Sequence, residues 1–178
     1  MIPSDRMEVT KYSADGLLRD GRPVVIRALR PDDRADLVRA INRSSAQSRY
    51  LRFFGAKRFF TDQEISFFTN VDFVNHVALI ATAKQNGHPV VAGGGRYVVT
   101  EPGKAEMAFT VVDEFQGQGI GTALLRHLVA IARDAGLNEL TAEVLPDNTP
   151  MLKVFEHSGL PLSVTCEPGV VHAILRLH

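Results

Sequence analysis

The stretch Asp113–Leu128, DEFQGQGIGTALLRHL, constrains the fold more than any other part of the chain. Glycines alternate at 117, 119 and 121, and an apolar helical pattern starts directly behind them. Leu124, Leu125, Leu128, Val129 and Ala132 fall on one face of that helix, and Gly136 is placed to end it. The run AEMAFTVV before the loop and the run NELTAEVL after the helix both read as strands. A strand, a helix and a strand joined in this way form a crossover, so the two strands are expected to be parallel. Glycines ahead of a helix let a ligand approach the backbone, and the free N–H groups at a helix start favour an anion.

The rest of the chain reads as short strands and helices. An N-terminal hairpin turns at Asp20-Gly21, and its second strand runs over 24–28. Pro31 and Asp32 open a helix whose buried stripe is expected at Ala35, Leu37, Val38 and Ile41. The aromatic and basic segment 45–72 is expected to form two short helices, the second capped by Thr61 with Glu64 three residues on. NHVALIATAK and PVVAGGGRYVVT pair as strands across the turn QNGH. DNTPMLKVFEHSG is a helix that starts at Asp147/Asn148 and stops at Gly159, and LSVTC and VVHAILRL close the chain as strands. The expectation is an α/β domain with a mixed, mostly antiparallel sheet of about six to seven strands and about four helices. Residues 1–22 are assigned to an N-terminal hairpin extension and residues 23–178 to the domain itself.

Composition removes several classes. With 178 residues, 45% of them hydrophobic, the chain suits one domain with a substantial core. A formal net charge of zero argues against a nucleic-acid surface. The basic-aromatic patch Arg49, Arg52, Lys57 and Arg58 is short, which weighs against RNA binding. No signal peptide or membrane-spanning run is expected. The one cysteine, Cys166, fits a reducing cytoplasm and is expected to be a buried or half-buried thiol. The six histidines show no ligand spacing, so no metal is expected.

The glycine loop fails two nucleotide signatures. Thr122 occupies the last glycine position of a dinucleotide fingerprint counted from Gly117, and Leu124 does so counted from Gly119. The loop also has no lysine before Thr122, which a P-loop requires. What remains is a cradle of N–H groups around Gln118–Thr122 at the positive end of a helix dipole, able to hold a pyrophosphate without a cationic side chain. QGQGIG resembles the Gln/Arg-x-x-Gly-x-Gly/Ala motif of the GNAT superfamily of acyl-CoA-dependent N-acetyltransferases, through Gln116, Gly119 and Gly121. DNTPMLKVFEHSGL is similar to that family's next block, with Asn148 at the helix start. A narrower resemblance runs through LRDGRPVVIRALRPDDRADL, SRYLRFFGAKR and VDFVNHVALIA. These segments resemble the catalytic domain of bacterial protein lysine acetyltransferases, which act on acyl-CoA synthetases and similar proteins. Some of those enzymes carry a fused synthetase-like or cyclic-nucleotide domain, and neither is expected from this sequence.

The resemblance implies acetyl-CoA as cosubstrate. It is expected on Val111, Val112, Gln116, Gly117, Gln118, Gly119, Ile120, Gly121, Thr122, Asn148 and Phe155. Transfer needs a polarised thioester, a deprotonated amine and a tolerated thiolate. The resemblance implies the backbone N–H of Val111 for the first and Glu106 as general base for the second. Glu106, Ala108 and Thr110 share one strand face, and the alternative for Glu106 is an ion pair with Lys104 or Arg96. For the third, many relatives place a tyrosine where this chain has Phe155, which cannot donate a proton. Solvent or another group such as Tyr97 is then left to protonate the thiolate, and Phe155 is expected to pack against the cofactor arm. His76 is a candidate second base, with a packed histidine the favoured reading, and His127 and His157 are expected on the surface.

The function expected is transfer of acetyl to a primary amine by direct attack, with a protein lysine as acceptor. The alternatives are a small-molecule amine acetyltransferase and a non-catalytic acyl-CoA sensor. The expected partners are acyl-CoA and an amine acceptor, possible examples being an acyl-CoA synthetase; no nucleic acid or membrane is expected. Apolar strand edges near the C-terminus give an expectation of a homodimer.

Overall fold

The computed structural model describes residues 7–43, 45 and 61–178. Eight strands form one sheet: β1 Ser13–Leu17, β2 Pro23–Ala28, β3 His76–Gln85, β4 His88–Glu101, β5 Lys104–Val111, β6 Glu139–Val144, β7 Leu162–Glu167 and β8 Val170–Arg176. Their order is β1-β2-β3-β4-β5-β6-β8-β7, and only β5 and β6 run parallel. The described α-helices are α1 Arg34–Arg43, α2 Asp62–Thr69, α3 Ile120–Asp134 and α4 Thr149–Glu156. The α/β architecture is the one expected, with one strand more than the sequence suggested. The eighth strand is β1, the first strand of the expected N-terminal hairpin; it pairs with β2 from Ser13↔Arg27 to Leu17↔Pro23 and joins the sheet as one of its edges.

Local sequence accounts for most boundaries. Asn86 and Gly87 both have positive φ, 51° and 79°, as a two-residue hairpin turn between β3 and β4 demands. Thr61 accepts from the Glu64 N–H while the Glu64 side chain returns to Thr61, closing a capping box on α2. Asn148 caps α4 by accepting from the Met151 N–H at 3.3 Å. On α3 the expected stripe is buried, and Leu124, Leu128 and Ala132 are fully enclosed against the sheet. The stripe of α1 is offset from expectation. Ala35 is exposed and Ala40 is buried, with Leu37, Val38 and Ile41 half-buried. The first of the two short helices expected in the 45–72 segment, with Arg49, Arg52, Lys57 and Arg58, lies outside the described residues.

The start of α1 is fastened electrostatically. Arg27 on β2 donates to both oxygens of the buried Asp33, at 2.8 and 2.7 Å, and the Arg30 N–H adds a bond of 2.6 Å. Burial acts to raise the Asp33 pKa, but the Arg27 and Arg30 bonds and charges outweigh it and hold the carboxyl below its usual value.

The run Gly93–Gly95 brings α3 down onto the sheet centre. A Cβ at Gly93 would lie 2.8 Å from the Thr110 carbonyl oxygen and 3.1 Å from Ile120. At Gly95 it would lie 2.8 Å from the Phe109 ring. Backbone cannot yield as a flexible side chain can, so Gly93→Ala is expected to destabilise the fold by about 1–3 kcal/mol. Urea unfolding would read this as a lower midpoint at unchanged slope.

Candidate functional site

Strands β5 and β6 pair only at Lys104↔Glu139, Ala105↔Leu140 and Glu106↔Thr141. Both continue, to Val111 and Val144, without further pairing. A wedge therefore opens in the sheet from Glu106 onwards, with backbone polar groups along its β5 side. The Val112 N–H donates to Ala92 O at 2.9 Å, so Ala92 and Val112 are a bonded pair of the β4–β5 ladder. Alternation turns the N–H of the preceding residue, Val111, the other way, into the wedge. The Val111 carbonyl shares that direction and accepts from the Gln116 side chain at 3.3 Å. Val111 is thus a free donor at the mouth of the wedge. Val112, expected as a second contact, has a buried side chain and an N–H committed to the sheet.

The glycine loop closes the same end. Gly117 and Gly119 have φ of 76° and 90°, which side-chain-bearing residues adopt only with strain, and Gly119 is the N-cap of α3. The Ala123 N–H makes the first helical bond, onto Gly119 O at 3.0 Å. The N–H groups of Ile120, Gly121 and Thr122 ahead of it are the orphan donors of the helix. The Ile120 side chain is buried, so this residue contributes backbone only. A Cβ at Gly117 would meet nothing within 4 Å, so the space over the loop is open. Orphan donors, a positive helix end and open space fit a pyrophosphate.

One face of the sheet carries a largely apolar, partly open groove. Leu37, Ala40 and Ile41 of α1 and Phe68 of α2 roof it, and Gly94, Ala108 and Thr110 are part of its floor. Glu106 shares the β5 face of Ala108 and Thr110 and is exposed. The expected alternative pairing is not made. Lys104 lies by Glu101 at 3.5 Å and Glu139 at 4.0 Å, and Arg96 donates to Phe68 O at 3.1 Å and meets His76 Nε2 at 2.9 Å. Among the described residues, Glu106 has no ion pair. It stands where the groove floor runs towards the wedge, beside Thr141, the last β6 residue paired with β5.

The other candidates fall elsewhere. His76 is buried, and its pKa is pushed down to about 4 by burial and by the charge of Arg96. At neutral pH it is uncharged, and its Nε2 is occupied by Arg96, so it is a packed histidine and not a second base. Tyr97 is 1% exposed, and burial pushes its pKa up to about 12. It lies on the opposite face, beneath α3, and cannot serve the thiolate. The Phe155 ring is buried in the core against Phe109, with centroids 6.3 Å apart, so the packing expected against a cofactor arm is packing within the protein. His127 is half-buried and not a surface residue, because its Nδ1 bonds the Tyr12 hydroxyl at 2.5 Å. His157 is exposed. Cys166 is exposed on the edge strand β7, contrary to the expected buried or half-buried thiol. Asn148 holds the start of α4, in the chain just beyond the end of β6.

Sequence reasoning missed Arg19. Its guanidinium donates to Gly117 O at 3.1 Å and its N–H to Gln118 O at 3.2 Å. No local pattern announces a contact across 98 residues. Among the described residues, no group of His, Cys, Asp or Glu could hold a metal ion. No described helix is long and apolar enough to cross a membrane.

Comparison with known proteins bears on the family and the fold. The model of the acetyltransferase (GNAT) family matches residues 43–160. An acetyltransferase of Pseudomonas aeruginosa is 34% identical over 124 residues, 69% of this chain and 67% of that protein. The acetyltransferase Pat of Mycolicibacterium smegmatis is 33% identical over 147 residues, 77% of this chain but 43% of that protein, so this chain spans less than half of it. The crystal structure of the GNAT domain of S. lividans PAT superposes with a TM-score of 0.82 at 36% identity, covering 92% of this chain and 96% of that one.

Proposed function

Because this chain belongs to the acetyltransferase (GNAT) family, we propose that it transfers acetyl from acetyl-CoA to the side-chain amine of a protein lysine. The observation that carries the reading is the convergence of three features. They are the orphan donors of Ile120–Thr122, the Val111 N–H facing the wedge, and the Glu106 carboxylate on the groove side of the same strand. Acetyl-CoA supplies the thioester. The loop N–H groups hold its pyrophosphate at the helix start, and the wedge leads its reactive end to Val111. The Val111 N–H stabilises the oxyanion of the tetrahedral intermediate. The Glu106 carboxylate takes a proton from the amine, directly or through water. An ordinary lysine, with pKa about 10.4, is almost wholly protonated at neutral pH, so this step is required. Tyr97 and Phe155 are both buried and offer no acid for the thiolate, which leaves its protonation to solvent.

The choice of protein lysine rests on the likeness to the two PAT proteins and on the apolar groove between α1, α2 and the sheet, which suits the aliphatic stem of a lysine. The test is release of coenzyme A thiol from acetyl-CoA with three sets of acceptors: an acyl-CoA synthetase from the same cell, lysine peptides, and common small amines. Turnover on the synthetase supports a protein acceptor. Turnover confined to small amines overturns the lysine assignment.

A further inference from the structure

The turn between β1 and β2 makes three hydrogen bonds to the glycine loop, each of them outside the parts so far given a role. The Arg19 N–H donates to Gln118 O at 3.2 Å, the Arg19 guanidinium to Gly117 O at 3.1 Å, and the Asp20 N–H to Gln118 Oε1 at 3.1 Å. The turn is itself braced. Leu18 and Gly21 close it with backbone bonds to Arg22 O and Leu18 O. The Asp20 carboxylate accepts from the Arg22 N–H and Nε, and the Arg22 guanidinium lies 5.1 Å over the Phe115 ring, just ahead of the loop.

In a trans peptide the C=O and the following N–H point in opposite directions. Fixing the carbonyls of Gly117 and Gln118 on the hairpin therefore aims the N–H groups of Gln118 and Gly119 away from it. Two glycines at positive φ have no Cβ to resist a peptide flip, so the loop needs an outside brace to keep one orientation. We propose that Arg19 is a positioning residue for acyl-CoA: through the loop carbonyls, it presents the loop N–H groups to the pyrophosphate. The proposal rests on the reading of Gly117–Thr122 as the pyrophosphate loop.

The test compares three acetyl donors: acetyl-CoA, its 3′-dephospho form, and S-acetylpantetheine, which has no pyrophosphate. Each is titrated into the wild-type protein, Arg19→Met and Arg19→Lys, and unfolding without donor is measured in parallel. Arg19→Met is expected to weaken acetyl-CoA and the dephospho form equally, by about tenfold, the worth of the one charge-assisted hydrogen bond it removes. S-acetylpantetheine binding is expected to be unchanged. Arg19→Lys keeps a donor able to reach Gly117 O and is expected to recover part of the loss. Equal weakening of all three donors would mean a general structural role and overturn the proposal. Weakening of acetyl-CoA alone would place Arg19 on the 3′-phosphate and overturn it too, as would no change. If wild-type protein binds none of the donors, the reading of the loop itself fails, a result distinct from any of these.

Discussion

Glu106→Gln is expected to lower kcat/KM for the amine acceptor by about 10²–10⁴-fold, the usual worth of a positioned general base. Acetyl-CoA affinity is expected to stay within about twofold, because Glu106 lies on the groove side of β5, away from the loop that holds the pyrophosphate. The substitution removes no ion pair among the described residues and changes one exposed side chain, so the fold is expected to survive it. The pH dependence separates a base from a bystander. In the variant only the fraction of acceptor already deprotonated reacts, so its residual rate should climb about tenfold per pH unit towards the acceptor pKa of about 10.4. Wild type, with its own base, should show a shallower rise. Steady-state rates on one acceptor from pH 6 to about 9.5 decide the matter. Parallel profiles would remove Glu106 from the proton transfer.

Asp33→Ala is expected to destabilise the protein by about 3–5 kcal/mol, because it strands the guanidinium of Arg27 and the N–H of Arg30 at a partly buried site. For a domain of this size each kcal/mol is worth roughly 2–4 °C in melting temperature, so a loss on the order of 10 °C should appear in calorimetry. Asp33 has a folded pKa below its unfolded value of about 3.9, so its contribution is complete above that value. It is lost as the pH falls through the lower folded pKa. Wild type should therefore lose stability below about pH 4, and Asp33→Asn should lack that portion of the acid slope. The effect reaches function because Asp33 fixes the start of α1, and α1 roofs the groove on the Glu106 side.

The parts legible in the sequence are those that local chemistry determines. The α3 stripe follows a single helical period, QNGH permits one tight turn, and Asn148 and Thr61 cap the helices they precede. The parallel β5–β6 pair follows from the length of the connection between them. Contacts distant in sequence were not legible. Arg19 reaches Gly117, Tyr12 reaches His127, and α1 turns Ala40 inward instead of Ala35. Tyr97 and Phe155 read as candidate site residues because spacing does not say which face of a strand or helix meets the core. The structure encloses both, with Tyr97 under α3 and Phe155 against Phe109. Cys166 sits in a run of apolar and polar residues that suits either environment, and its exposure follows from β7 being an edge strand whose residues from Ser163 to Glu167 are exposed on both faces.

The central claim is that the loop after β5 holds the acyl-CoA pyrophosphate and delivers the thioester to Val111. Backbone hydrogen exchange with and without acetyl-CoA tests it residue by residue. The account predicts slowed exchange at the amides of Gln118–Thr122 and at Val111, with the outer strands β1 and β7 unaffected. Binding that leaves those amides exchanging at their free rate, or no acetyl-CoA binding at all, would contradict it.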